Sequence, residues 1–418
     1  LKGQGLRGEI VIPSDKSVSH RSAMFADLTG GVVEVKNISM GADCLSTLNI
    51  VKTLGCDVEF LADKHIKIDA SNALKKDIYK LDCGNSGTSM RLFSGIMASY
   101  ETETTLFGDE SLSNRPMKRV ILPLELMGAK IKHHNFKAPL VIQGKELFPI
   151  DYKSPIASAQ VKSCVLLAGL NTCGVTKVTE PYVSRDHTER MLKYLGADIS
   201  VNGTTTAVKK SKLEPKNITV CGDISSAAFF LVAGAIVPES DFVIKNVGLN
   251  PTRTGIIDIM KSMGADIEIL SQDEVCNEPV GDIRIKTSPL KGTTIEGEII
   301  PRLIDELPVI AVLASQAEGT TIVKDAADLR NKESDRIKCL VSELTKLGVD
   351  IEETPDGFIV NGKTNLRGGA EVECYHDHRL AMSLYVAGLV CEQPVVINEF
   401  QWVDISFPEF LGLMNLLH

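Results

Sequence analysis

One phrase recurs along the chain and limits what it can fold into: an amphipathic stretch ending on an apolar residue, then Gly, then a short alternating stretch. It reads Thr53-Leu54-Gly55-Cys56-Asp57-Val58, Leu126-Met127-Gly128-Ala129-Lys130-Ile131, Tyr194-Leu195-Gly196-Ala197-Asp198-Ile199, Ser262-Met263-Gly264-Ala265-Asp266-Ile267 and Lys346-Leu347-Gly348-Val349-Asp350-Ile351. The glycines at 55, 128, 196, 264 and 348 are 73, 68, 68 and 84 residues apart. Glycine just past a helix end supplies the left-handed residue that terminates it, so each copy marks the same joint of a repeated unit. A further interval of about 66 residues reaches 407–418, which reads as the amphipathic helix of a sixth unit.

A second phrase interleaves with the first: a polar start, then a nearly all-apolar helix, with copies beginning near Lys16, Asn85, Ser158, Asp223, Asp305 and Asp377. Segments 157–170, 225–237 and 307–317 are apolar on every face, and a helix of that kind is buried on every face. Six buried helices, six surface helices and intervening strands give six similar α/β units. Six such units exceed one core, so two domains of three units each are expected. Domain 1 takes residues 1–13 plus 225–418, and domain 2 takes 14–224. In this arrangement the chain crosses twice, and the starts of the buried helices face an interdomain cleft. Helix starts carry unpaired N–H groups and a partial positive charge, which suits an anion.

The polar residues at those starts supply the chemistry. Pro13-Ser14-Asp15-Lys16-Ser17 leads through Arg21, placing two cations and several hydroxyls on the first buried helix. Asn85-Ser86-Gly87-Thr88-Ser89-Met90-Arg91 opens the second, where Gly87 lets backbone N–H groups approach a ligand. The alternative is a plain glycine-containing cap with Arg91 structural. Arg115, next to Pro116, offers a two-pronged fork to a carboxylate or phosphate. Ser158, Gln160 and Ser184 add hydroxyl and amide donors, and His187 reads as a cap or surface residue. Acids enter in the second half. Asp305-Glu306 heads the fifth buried helix, Arg330-Asn331-Lys332-Glu333-Ser334-Asp335-Arg336 packs cations against acids, and His376-Asp377-His378-Arg379 heads the sixth. H-x-H lacks a third ligand nearby, so no metal is expected.

Several classes are excluded. A net charge of -9 argues against a nucleic-acid or membrane-surface partner held by bulk electrostatics, so an anionic substrate needs a local cationic pocket. The ten Cys form no C-x-x-C pair and read as reduced thiols of a cytoplasmic protein. The longest apolar run, 227–237, is too short to span a bilayer, and no signal-peptide pattern opens the chain. Gly3-Gln4-Gly5-Leu6-Arg7-Gly8 matches a dinucleotide fingerprint but leads into a strand pattern rather than a helix, so it reads as a terminal turn. No P-loop motif is present. What remains is an inventory for two anionic substrates, with proton donation and removal and no cofactor.

Asp15-Lys16-Ser17 to Arg21, Gly84-Asn85-Ser86-Gly87-Thr88, Asp109 to Arg115-Pro116-Met117, Lys332-Glu333-Ser334-Asp335-Arg336, Asp377-His378-Arg379 and Ser406-Phe407-Pro408 together resemble the 5-enolpyruvylshikimate-3-phosphate synthase family across almost the whole chain. The resemblance implies the two-domain enolpyruvyl transferase fold, an inside-out α/β barrel of six βαβαββ units, three per domain. It implies transfer of the enolpyruvyl group of phosphoenolpyruvate to the 5-hydroxyl of shikimate 3-phosphate, in the shikimate pathway to aromatic amino acids. Carried onto this chain, Lys16, Ser17, Arg21, Ser158, Gln160, Ser184, Asp305 and Lys332 hold shikimate 3-phosphate. Lys16, Gly87, Arg115, Gln160, Arg336 and Arg379 hold phosphoenolpyruvate. Asp305 takes the hydroxyl proton, while Glu333 and Lys16 handle protons at the methylene carbon. The partners implied are these two small molecules alone, with no metal, and the protein is expected to be a cytoplasmic monomer sensitive to glyphosate. Three positions depart from the family pattern: Ala159 replaces a Ser, Ile405 stands where many members carry Lys, and Asp328 replaces an Asn. The alternatives are a UDP-N-acetylglucosamine enolpyruvyl transferase, disfavoured because loop 108–117 has no Cys, and a non-catalytic anion-binding repeat protein.

Overall fold

The computed structural model describes residues 5–418; Gly3 and Gln4 of the terminal glycine motif lie outside them. Besides the short turns Glu110–Asn114 and Ile300–Leu303, among the described residues twelve α-helices of seven residues or more alternate between buried and surface positions. They are α1 (Lys16–Thr29), α2 (Ala42–Thr53), α3 (Gly87–Ala98), α4 (Lys118–Leu126), α5 (Ala159–Gly169), α6 (His187–Tyr194), α7 (Ile224–Ile236), α8 (Gly255–Ser262), α9 (Leu307–Ser315), α10 (Arg336–Lys346), α11 (His378–Gly388) and α12 (Phe410–Leu416). The odd-numbered helices are those expected to be buried. Every residue of α9 is buried, as is nearly all of α7. Their sequences have no polar face to give to water, so tertiary packing rather than amphipathicity places them.

One unit shows the plan. Strand Ile78–Asp82 leads through α3 to Glu103–Phe107, its parallel neighbour. Helix α4 follows, and the hairpin Lys130–His134 and Lys137–Gln143 closes the sheet antiparallel. Among the described residues four four-stranded sheets share this order, first-second-fourth-third, a fifth has the same layout with the late strand Ile218–Thr219 in the first place, and none closes on itself; a two-stranded sheet pairs Glu371–Glu373 with Val396–Asn398. The five joint glycines all have positive φ, from 89° at Gly196 to 108° at Gly55, which L side chains adopt only with strain.

The chain divides into two compact units. Unit 1 holds the chain up to Pro13, Gly222–Asp273 and Pro279–His418; unit 2 holds Ser14–Cys221 with Glu274–Glu278. Residues 222–224 thus fall in unit 1, where Gly222 bridges Val247. Each unit is completed by a strand from a distant part of the sequence. Arg7–Val11 runs parallel to Asp241–Gly248 in unit 1, and Ile218–Thr219 runs parallel to Val32–Lys36 in unit 2.

In unit 1, α7, α9 and α11 pack on one another inside a continuous apolar core. Phe410 of α12 closes it, edge-on to Phe230, Phe407 and Tyr385 at centroid distances of 5.3–5.6 Å. In unit 2, α3 lies against α5 so closely that a Cβ at Gly95 would be 2.1 Å from the Cys164 carbonyl oxygen. Glycine is required there, because packed backbones cannot yield that distance.

Candidate active site

In unit 2 the polar residues converge on the starts of α1, α3 and α5. Asp15 caps α1 by accepting the Val18 N–H at 2.8 Å. Lys16, the first residue of α1, pairs with Asp43 of α2 and keeps about a third of its side chain exposed. Arg21, one turn further in, is almost fully buried. It donates to Thr188 Oγ1 at 2.7 Å, to the Ser17 carbonyl at 3.0 Å and to Ser163 Oγ at 3.1 Å. Burial lowers its pKa to about 10, against the raising effect of Glu189, so it stays charged at neutral pH.

Ser86 caps α3 and puts Gly87 at the first helical residue. A Cβ on Gly87 would lie 3.0 Å from Arg91 Nη1 and 3.5 Å from Arg115 Nη1, so two guanidinium groups flank a backbone that has no side chain of its own. Arg115 is held by Asn85 Oδ1 at 2.7 Å, and Asn85 donates to Asp109 Oδ2 at 2.7 Å. Arg91 donates to Gln160 Oε1 at 2.5 Å, and Gln160 donates to Thr88 Oγ1 at 3.1 Å. Fixed guanidinium forks beside the N–H groups of a helix start form a receptor for carboxylate or phosphate. Ser158 caps α5 without using its hydroxyl for the cap, and Ser184 is buried in the loop before α6.

Unit 1 gathers the acids around one guanidinium. Arg336, the first residue of α10, is 1% exposed. It donates to Asp377 Oδ2 at 2.7 Å, to Glu333 Oε2 at 2.6 Å and to Asp305 Oδ1 at 3.3 Å. Lys332 Nζ lies 3.3 Å from Asp305 Oδ1. Asp377 also caps α11 through the Arg379 N–H, and Ser334 donates to it at 3.1 Å. Arg379 donates to the Asp305 carbonyl at 3.4 Å and lies 3.9 Å from Glu306 Oε1.

Burial would raise the pKa of Glu333, but Arg336, His378 and Lys332 outweigh it and hold this carboxyl well below the usual range. Asp377, completely buried, is likewise held down by Arg336 and His378 against its desolvation. Glu306 stands at the cap position of α9 yet makes no side-chain cap; it pairs with Ser225 Oγ instead. Ordinary N-capping therefore does not explain it.

Within unit 2, the expected residues Lys16, Ser17, Arg21, Gly87, Arg115, Ser158, Gln160 and Ser184 sit at three helix starts and the loop before α6. Within unit 1, Asp305, Lys332, Glu333 and Arg336 form one ion cluster, and Arg379 reaches it through the Asp305 carbonyl. Arg91, structural in the alternative reading, flanks Gly87 together with Arg115. Its position four residues after Gly87, one helical turn, is the signal that could have found it. Asp377 was readable only as a cap; its contact with Arg336 spans 41 positions. His187 is neither an exposed cap nor a surface group, being 2% exposed. His376 pairs with Glu399 and stacks on Trp402. Ile405 is half-buried at the end of the 3-10 turn Phe400–Ile405.

Comparison with known proteins gives a consistent result. The family model described as EPSP synthase (3-phosphoshikimate 1-carboxyvinyltransferase) matches residues 1–414. The chain is 52% identical to the 3-phosphoshikimate 1-carboxyvinyltransferase of Bacillus subtilis, covering 100% of this chain and 98% of that protein. It is 50% identical to that of Thermoanaerobacter pseudethanolicus, covering 100% and 99%. Among solved structures, EPSP synthase from Acinetobacter baumannii superposes with a TM-score of 0.90 at 42% identity, covering 100% of this chain and 97% of that one. The enolpyruvyl transferase NikO from Streptomyces tendae shares the fold at 17% identity, with a TM-score of 0.81 and coverage of 99% and 95%.

Proposed function

The chain belongs to the EPSP synthase family, and from that premise we infer that it moves the carboxyvinyl group of phosphoenolpyruvate to the 5-hydroxyl of shikimate 3-phosphate, releasing phosphate. It is a transferase of the shikimate pathway. Relatives of that name at about 50% identity over the full chain set aside both the UDP-N-acetylglucosamine reading and the non-catalytic one.

The reaction asks for two proton movements. C3 of phosphoenolpyruvate gains a proton, C2 becomes electrophilic and bonds the 5-oxygen, and the hydroxyl hydrogen leaves to a base. C3 then loses a proton as the C2–O bond to phosphate breaks. The observation that carries the reading is Arg336, which holds Asp305 and Glu333 on one buried guanidinium. Asp305 is the base for the hydroxyl. Glu333, kept ionised by Arg336, His378 and Lys332, suits the acceptor role at C3, which leaves the Lys16 ammonium as donor. Arg336 and Arg379 also meet phosphoenolpyruvate, with Gly87, Arg115, Gln160 and Lys16. Lys16, Ser17, Arg21, Ser158, Gln160, Ser184, Asp305 and Lys332 meet shikimate 3-phosphate.

Phosphate release measured with and without shikimate 3-phosphate tests the function: release is expected only with both substrates present. Release from phosphoenolpyruvate alone, or none with both, overturns it. The enzyme works as a monomer in the cytoplasm, and a dimer mass on size-exclusion chromatography with light scattering would refute the monomer. Among the described residues no helix is long and apolar enough to cross a membrane.

A further inference from the structure

Unit 2 contains a buried ion cluster that the mechanism above does not use. The Lys162 ammonium, 3% exposed on α5, lies 3.0 Å from Glu180 Oε2 and 2.8 Å from Glu189 Oε1, both almost fully buried. It also donates to the Ser184 carbonyl at 3.3 Å. Glu189 on α6 further accepts from Thr206 at 3.3 Å. Taking three such groups out of water carries a desolvation penalty that their mutual attraction only partly offsets, so a buried cluster is weak evidence for a stability role. The charges nevertheless close. Arg21, buried beside Glu189 and bonded to the neighbouring Thr188, supplies the second cation, giving two positive against two negative groups.

The contacts of Glu180 suggest what the cluster does. One carboxylate oxygen accepts the Ser158 backbone N–H at 2.7 Å, and the other accepts the Ser184 hydroxyl at 2.8 Å. Ser158 starts α5; Ser184 lies in a stretch without regular structure between strand Val175–Thr179 and α6. These are two of the residues assigned above to shikimate 3-phosphate. They are 26 positions apart in sequence and belong to different elements, so their spacing depends on whatever holds both.

We propose that Glu180, locked by Lys162, is a positioning residue for shikimate 3-phosphate: its single carboxylate sets the distance between Ser158 and Ser184. The inference rests on the reading that these serines meet that substrate. Glu180 touches no reacting atom. It acts through the two serines, much as the carboxylate behind a metal-bound histidine fixes that ligand's orientation. Glu189 shares Lys162 with Glu180 but has no contact with either serine among those given above, so it is the internal control.

The test compares Glu180→Gln with Glu189→Gln in the full-length enzyme, reading steady-state kinetics for each substrate and the melting temperature. For Glu180→Gln the KM for shikimate 3-phosphate is expected to rise about tenfold or more, as loss of charge-assisted hydrogen bonds does. Its kcat and its KM for phosphoenolpyruvate should stay within about twofold of wild type. Glu189→Gln is expected to shift the KM for shikimate 3-phosphate much less, even where it lowers the melting temperature as far. An unchanged KM for shikimate 3-phosphate in folded Glu180→Gln overturns the proposal, and so does an equal rise for both substrates or an equal rise in both variants. If Glu180→Gln does not fold, the Lys162→Met/Glu180→Gln double variant removes one charge of each sign and should show the same selective deficit; its absence is equally fatal. A wild-type enzyme that does not turn over shikimate 3-phosphate defeats the functional reading instead, and is recognised before any variant is made.

Discussion

The two units hold the guanidiniums assigned to the substrates in different ways. In unit 1 the guanidinium of Arg336 is surrounded by the carboxylates of Asp305, Glu333 and Asp377, so each acid has a cationic partner and Glu333 and Asp377 are held ionised. In unit 2 the partners of Arg21 and Arg115 are neutral oxygens from Thr188, Ser163, Ser17, Asn85 and Ser111. The contrast repeats in two single residues. Asp377 is completely buried and its pKa falls because Arg336 is there; Asp27, buried on α1 with the Cys56 thiol as its partner, is pushed up to about 7 by burial. Matched acids suit proton transfer, because their state is fixed before a substrate arrives. Guanidiniums hydrogen-bonded to neutral oxygens suit anion capture, because those oxygens can be exchanged for an anion without breaking an ion pair.

The sharpest way to break this contrast is to remove an acid from unit 1. Asp305→Ala should lower kcat by about 10²–10⁴-fold, the usual weight of a general base, while both KM values change only modestly; wild-type turnover would remove its role. Arg336→Met leaves completely buried Asp377 with an uncompensated charge and should cost about 3–5 kcal/mol in urea unfolding. A loss under about 1 kcal/mol would mean that the matching described here is energetically idle.

The two buried aspartates give a pH test of opposite sign. Asp377 has a depressed folded pKa, so its stabilisation is present above the unfolded value of about 3.9 and is lost as pH falls below it. Asp27 has a raised one: the folded state binds the proton more tightly, so stability is lost as pH rises from about 4 towards 7. Asp27→Asn should therefore stabilise the protein at pH 8, on the order of 1–3 kcal/mol, with the gain fading near pH 4. A gain independent of pH would exclude the explanation. His20 works in the other direction. Burial first, then Lys16 and Arg21, lowers its pKa to about 3, so stability falls as pH drops from about 6.5 towards 3.

On the anion-capturing side, Gly87→Ala would push a methyl against the Arg91 and Arg115 guanidiniums. The KM for phosphoenolpyruvate and the inhibitory glyphosate concentration should both rise, by about ten- to a hundred-fold, with kcat changed less. Equal sensitivity in the variant would show that the space at Gly87 does not matter. The smallest effect concerns the shared substrates. If shikimate 3-phosphate draws on both units, its addition should lower the radius of gyration in small-angle scattering by roughly a few per cent, and an unchanged curve would count against a closing motion.

The repeat was legible from the sequence because its signal is local. A left-handed residue must follow each surface helix, so the glycines at 55, 128, 196, 264 and 348 announce themselves, and an all-apolar run such as Leu307–Ser315 has nowhere to go but inside. The helix starts carrying Lys16, Gly87 and Ser158 were legible for the same reason. Other features depend on pairings with no local period. Arg336 meets Asp377 across 41 positions, Glu180 meets Ser158 across 22, and Arg91 meets Gln160 across 69. Such contacts follow from how the elements pack within each unit, which no window of neighbouring residues records, and the burial of His187 is of the same kind.

The strand exchange has a consequence for how the protein is made. Arg7–Val11 leaves the ribosome early, but its partner Asp241–Gly248 follows more than two hundred codons later, on the order of ten seconds or longer at about 5–20 residues per second. Throughout that interval the N-terminal ribbon has a bare edge that other nascent chains could capture. A C-terminal half of the gene that starts at Gly222 lacks the Arg7–Val11 strand of its own sheet; co-expressed halves should recover activity only when that ribbon reaches Asp241–Gly248.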